Sequence, residues 1–166
     1  MALLTNDNLA LEVNCHTAEH GWVIYTVRFL INGQSIINPA VIKRSADYDR
    51  ITPGYMMAEE DMRGSLFPVL DAVLNGRHAV WSSDEPHFVL SLQHCPWEGA
   101  DDNSRIILAE AHADAYFLEG RDYFGSDALV LRMSLAKSDL VRFRDELNEE
   151  YSAFIAREMG VEVRDL

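Results

Sequence analysis

The sequence predicts an α+β fold, with one antiparallel sheet of about six strands and a middle helix and a long C-terminal helix packed on it. Three observations predict it. Apolar residues alternate with period two in several short runs. Two other segments repeat their apolar residues at three and four positions. Turn signals separate the strand runs at hairpin spacing, which favours antiparallel pairing. The chain has 166 residues, the size of one domain, and is read as a single unit over 1–166. Its core covers about 9–157, and a loosely held tail follows over 158–166.

The first strand is read from Leu9, Leu11, Val13 and Cys15, which alternate with Glu12, Asn14 and His16. His20-Gly21 marks a turn. The second strand puts Val23, Tyr25, Val27, Phe29 and Ile31 on one face and Trp22, Ile24, Thr26, Arg28 and Leu30 on the other. Bulk on both faces predicts a central strand covered on both sides. Asn32-Gly33 favours the positive φ angles of a two-residue hairpin, with a short return strand at Ser35–Ile37 that Pro39 ends. Residues 40–64 read as irregular, with a turn at Pro53-Gly54.

The middle helix is predicted over 65–75. Ser65 is placed at its N-cap, Pro68 in the first turn and Gly76 at C′. Leu66, Val69, Leu70, Val73 and Leu74 form its apolar stripe. Four strands follow, near His78–Ser82, His87–Gln93, Ile106–Ala111 and Leu129–Leu135, with a polar loop over Pro96–Asn103. The last helix starts near Ser138-Asp139 and carries Leu140, Phe143, Leu147, Tyr151, Phe154 and Ile155 on one stripe. Asp139 suits the positive end of that helix, and Gly160 can end it.

Composition narrows the function classes. Fourteen Lys and Arg against 27 Asp and Glu give a net charge of −13. That field repels nucleic-acid backbones and anionic membranes and attracts basic proteins. Its simplest role is solubility; its functional role would be electrostatic capture. Two cysteines do not make a disulfide framework, and neither a secretory signal nor an apolar run of membrane length appears. The cytoplasm is therefore the expected compartment.

No chemical signature stands out. The six histidines are His16, His20, His78, His87, His94 and His112. Cys15-His16 with His20, and His94-Cys95, approach zinc-ligand spacing, but strand neighbours point to opposite faces and cannot chelate together. Neither thiol has a helix start or basic cluster beside it to activate it as a nucleophile. Asp84-Glu85 and Asp101-Asp102 sit among Ser, Pro and Gly, which marks solvated loop charge rather than a desolvated acid–base pair. No nucleophile elbow, P-loop or dinucleotide fingerprint occurs. No catalytic residue, metal or cofactor is expected.

Two loops combine an indole with carboxylates: Trp81–His87, holding Asp84 and Glu85, and Pro96–Asp102, holding Trp97, Glu98, Asp101 and Asp102. Trp anchors many protein interfaces, and nearby carboxylates suit Lys or Arg on a partner. Trp81 reads as core and Trp97 as the surface candidate. The expected contact residues are Asp84, Glu85, Trp97, Glu98, Asp101 and Asp102.

The stretch Trp81–Leu92, the strand at Arg105–Ala113, and Leu129–Leu135 running into Ser138–Phe143 resemble small bacterial domain families that accompany polymorphic toxins and are taken to be immunity proteins. The similar layout spans residues 9–155. It comprises an opening strand pair ending in Asn-Gly, a helix, a W-S-x-x-E strand, two more strands and a closing helix. The resemblance implies an α+β domain that binds and neutralises a toxin, commonly a nuclease.

The leading expectation is thus an acidic protein-binding module directed at a basic partner. A second is an enzyme or small-ligand binder with a pocket between sheet and helices, using His87, His94 and His112. A third is a structural homo-oligomer that pairs through the edge strand near Ile36.

Overall fold

The computed structural model describes residues 1–19, 22–36, 56–82, 88–101, 104–114 and 128–159. Among them lie strands β1 (Ala2–Asn6), β2 (Leu9–Glu19), β3 (Trp22–Ile31), β4 (Gln34–Ser35) and β5 (Met56–Glu60). Helix α1 (Leu66–Leu74), strands β6 (Ala79–Ser82), β7 (Phe88–His94), β8 (Ile107–Asp114) and β9 (Ala128–Leu135), and helix α2 (Lys137–Met159) follow.

These strands form two antiparallel sheets, not the single sheet of about six strands that the periodicity implied. The first has the order β1-β2-β3, and β4 and β5 share the far edge of β3. The second is the meander β6-β7-β8-β9. The error has a physical cause. Alternation reports which residues of a strand face the core, and two facing sheets produce the same alternation as one. β1 and β5 carry no clear strand signal in the sequence, because Ala-Leu-Leu is too short a run to separate a strand from a chain end, and β5 falls in the irregular pattern of 40–64.

The inner faces of both sheets meet in one core. Leu4 and Leu11, Val13 and Val27, and Leu11 and Phe29 are cross-strand pairs buried on the inner side of the first sheet. Leu90, Leu92, Ala109, Ala111, Leu131 and Met133 are buried on the inner side of the second. Aromatic rings join the two. Tyr25 on β3 lies 6.1 Å from Trp81 on β6, Phe29 lies 6.4 Å from Phe88 on β7, and Trp81 lies 5.5 Å from Phe88. Tilted rings at these separations contribute beyond their burial.

β3 is the central strand its two bulky faces predicted. Its second face carries buried Thr26 and Leu30, and Arg28 binds the buried Glu12 of β2 across the strand pair. Arg28 Nε donates to Glu12 Oε1 at 2.6 Å, and Nη2 also reaches the carboxylate. Nearby, His16 lies next to the bulge between Cys15 and Thr17, and its Nε2 is 2.8 Å from Thr26 Oγ1. Burial lowers the His16 pKa, against the opposing pull of Glu150.

The helices close the sides. α2 buries Leu140, Phe143, Leu147, Tyr151 and Ile155 of the stripe read from its spacing, leaves Phe154 of that stripe half-buried, and packs on β1 and β2. It also protects the open edge of the first sheet. The Leu3 N–H donates to Glu146 at 3.1 Å, and the Cys15 N–H donates to Glu150 at 2.8 Å. Side chains of one helix thus satisfy N–H groups that a further strand would otherwise pair. Asp139, expected to suit the positive end of the helix, also accepts the Ala136 N–H at 3.0 Å and so caps the helix start.

α1 packs on β6, β7 and α2. Ser65 precedes it but makes no side-chain cap, contrary to the expectation. Its hydroxyl donates to the Asp61 carbonyl and accepts from Trp81 Nε1 at 3.1 Å, so the oxygen serves the core indole instead. At the other end the Gly76 N–H bonds to the Val73 carbonyl and the Arg77 N–H to the Ala72 carbonyl. This reverse turn needs the positive φ of 79° that Gly76 supplies.

Candidate functional site

Three connections gather at one end of the molecule. The β1–β2 turn holds Asp7 and Asn8 between the paired residues Asn6 and Leu9. The β3–β4 turn holds Asn32 and Gly33 with φ of 51° and 75°, as a tight hairpin requires. The third is the loop between β7 and β8, closed at its base by the Cys95 N–H to Ile106 carbonyl bond. The Asn32 N–H donates to the Asn8 carbonyl at 2.7 Å, fixing the first two turns together. Arg105 Nη2 donates to Asp7 at 2.6 Å and fixes the third to the first.

Trp97 stands on that third loop with 54% of its surface exposed. Its carbonyl accepts the Ala100 N–H at 3.0 Å, and Asp101 and Ser104 hold each other through side-chain and backbone bonds. The indole is therefore carried on a braced turn. Glu98, Asp101 and Asp7 are exposed at the same end, with Ile31 and Ile36 exposed on the neighbouring hairpin. An indole and two isoleucines supply apolar contact area, and the carboxylates supply charge around it.

Of the six expected contact residues, Trp97, Glu98 and Asp101 come together here. Asp84, Glu85 and Asp102 lie outside the described residues. The described residues Ser82 and Phe88, on either side of the Asp84-Glu85 segment, lie at the end of the β6–β7 pair away from His94. Sequence reasoning missed Asp7, Ile31 and Ile36 as members of this end. The Asp7-Asn8 pair is itself a turn signal, but it gains meaning only once β1 is recognised as a strand.

Two of the three histidines of the pocket alternative lie among the described residues. His94 pairs with Ile107, on the inner side of the sheet, whereas His112 pairs with Val89 on the outer side, five positions along. The two cannot face one cleft. His87 and His20 lie outside the described residues. His78 Nδ1 accepts the His94 N–H at 3.2 Å. Among the described residues no three His, Cys, Asp or Glu side chains are grouped to hold a metal ion. No helix among them is long and apolar enough to cross a membrane.

The two thiols differ sharply. Cys15 is buried, and its pKa is pushed up to about 12 by burial first and by Glu150 second, whereas Cys95 is exposed beside the candidate site. Thiolate is the reactive form. Native protein at neutral pH is expected to take up one equivalent of a thiol-specific reagent, at Cys95, and a second only on unfolding. Rapid loss of both thiols in a native-state count would contradict this placement.

Comparison with protein-family models, curated proteins and solved structures finds no match to this chain.

Proposed function

We propose that the chain is an acidic protein-binding module that captures a basic partner through the end of the molecule carrying Trp97. One observation carries the reading: the Trp97 indole, more than half exposed, stands on a loop braced by internal hydrogen bonds and flanked by Glu98 and Asp101. Exposing an indole is costly in water unless something covers it, and a braced loop loses little entropy when it is covered. The net charge of −13 steers a cationic surface inward, and the rim carboxylates set its approach. The resemblance to toxin-associated immunity families narrows the reading to an inhibitor of a basic, nuclease-like protein inside the cell.

The test is protection from a basic toxin encoded beside the gene for this chain, together with the affinity of the purified pair. Trp97→Ala is expected to leave the melting temperature unchanged and to weaken binding about 30-fold, the size of a hot-spot loss of ~2 kcal/mol. Glu98→Lys with Asp101→Lys is expected to slow association and to reduce its dependence on salt. Unaltered affinity in both variants would remove this end of the molecule as the binding site.

A further inference from the structure

The outer face of the β6–β9 sheet has a composition unlike the rest of this acidic chain. Strand alternation sends Trp81, Leu90, Ala111 and Leu131 into the core. Their neighbours face outward in cross-strand rows. Val80, Ser91, Glu110 and Arg132 form one row, and Val89, His112 and Val130 lie in the next. Val80 is 62% and Val130 45% exposed. Arg132 Nε lies 2.6 Å from Glu110 Oε1, and His112 Nε2 lies 3.7 Å from its other oxygen. These two rows therefore hold one carboxylate and one guanidinium that neutralise each other, on a molecule whose net charge is −13.

We propose that this face is a self-association surface on which a second copy of the chain docks, sheet on sheet. The charge distribution selects that occupant. A basic partner is drawn to carboxylate-rich surface and gains little from these two charge-balanced rows. A second copy, itself strongly negative, is repelled everywhere except where charge is locally balanced. The register makes the face self-complementary. A two-fold axis parallel to the strands, between β7 and β8, sets β6 of one copy over β9 of the other and β7 over β8. Val80 of one copy then covers the aliphatic stem of Arg132 of the other, Ser91 meets Glu110, and Val89 meets His112. No carboxylate opposes a carboxylate. Strands β7, β8 and β9, seven or eight residues long, and the four-residue β6, about 4.8 Å apart, give a face of at most about 19 by 24 Å. That is near the lower limit for a specific contact, so the association is weak and reversible. It is independent of the Trp97 reading and uses a different surface.

Sedimentation velocity on the full chain at rising concentration, in low and high salt, tests the proposal. A monomer–dimer equilibrium is expected, and it should tighten in high salt as repulsion between the two acidic copies is screened. Capture of a basic partner shows the opposite salt dependence. Val80→Lys and Val130→Lys are each expected to weaken the dimer about tenfold or more, by placing an ammonium in the contact. Val80→Thr keeps strand propensity and should largely preserve the dimer, and thermal melts establish that each variant is folded. A chain that stays monomeric throughout overturns the proposal and leaves the face to another partner. So does a dimer that loosens with salt, or one indifferent to both lysines.

Discussion

Replacing Trp81 by alanine is expected to destabilise the protein by about 3–5 kcal/mol, the cost of removing a large aromatic side chain from a closed core. Trp81 is 3% exposed and sits where three parts of the structure meet. Its ring contacts Tyr25 of the opposite sheet and Phe88 of its own, and its Nε1–H donates to Ser65 at the start of α1. The truncation therefore opens a cavity between the sheets and loosens α1 together. For a chain of this length the loss corresponds to a fall of roughly 10 °C in Tm. Trp81→Phe retains an aromatic ring and is expected to cost about 1–2 kcal/mol, because the Ser65 bond and some volume are lost. Urea unfolding of both variants checks the ordering. A Trp81→Ala protein as stable as the parent would mean that the sheets do not meet at this indole.

The second large effect is expected at Glu12. Its carboxylate is buried on the second face of the first sheet and holds Arg28 in a two-point contact. Removing one partner of a buried pair takes from the other charge its two-point counter-ion. Arg28 keeps 28% of its side chain in contact with water, which moderates the penalty. Glu12→Ala is therefore expected to cost about 1–3 kcal/mol rather than the larger figure for a fully buried pair. The double replacement Glu12→Leu with Arg28→Met removes both charges and keeps the volume, and should recover most of that stability. A double-mutant cycle in denaturant measures the coupling. If the double variant is no better than Glu12→Ala alone, the pair does not act as a unit.

Much of the architecture was legible in local pattern. The α2 stripe of Leu140, Phe143, Leu147, Tyr151, Phe154 and Ile155 follows from helical spacing, and all of it but the half-buried Phe154 is buried. Asn32-Gly33 announced a hairpin because few other dipeptides accept two successive positive φ angles. Gly76 announced the end of α1 for a related reason. Ser65 shows the limit of such reasoning. A serine before a helix reads as a cap, yet the hydroxyl is drawn to a tryptophan sixteen residues away.

The candidate site was half legible. Trp97 between Pro and Glu in a polar loop was recognisable as a surface indole, and it is exposed. That Asp7, Ile31 and Ile36 share its end of the molecule could not be read, because Arg105 reaches Asp7 across 98 positions of sequence. Asp84, Glu85 and Asp102, the other expected contact residues, lie outside the described residues.

What the sequence determined by itself is the set of local preferences: which residues of each strand and helix turn inward, where the turns fall, and the sign of the charge. Those follow from backbone geometry and side-chain chemistry within a few residues. Which strands share a sheet, that two sheets close over Trp81, and that Glu146 and Glu150 of a distant helix cap the edge of β1 and β2 were decided by tertiary structure alone. Each depends on contacts between segments far apart in the chain, and hydrophobic burial, being non-directional, leaves the choice of partner to how the whole molecule packs.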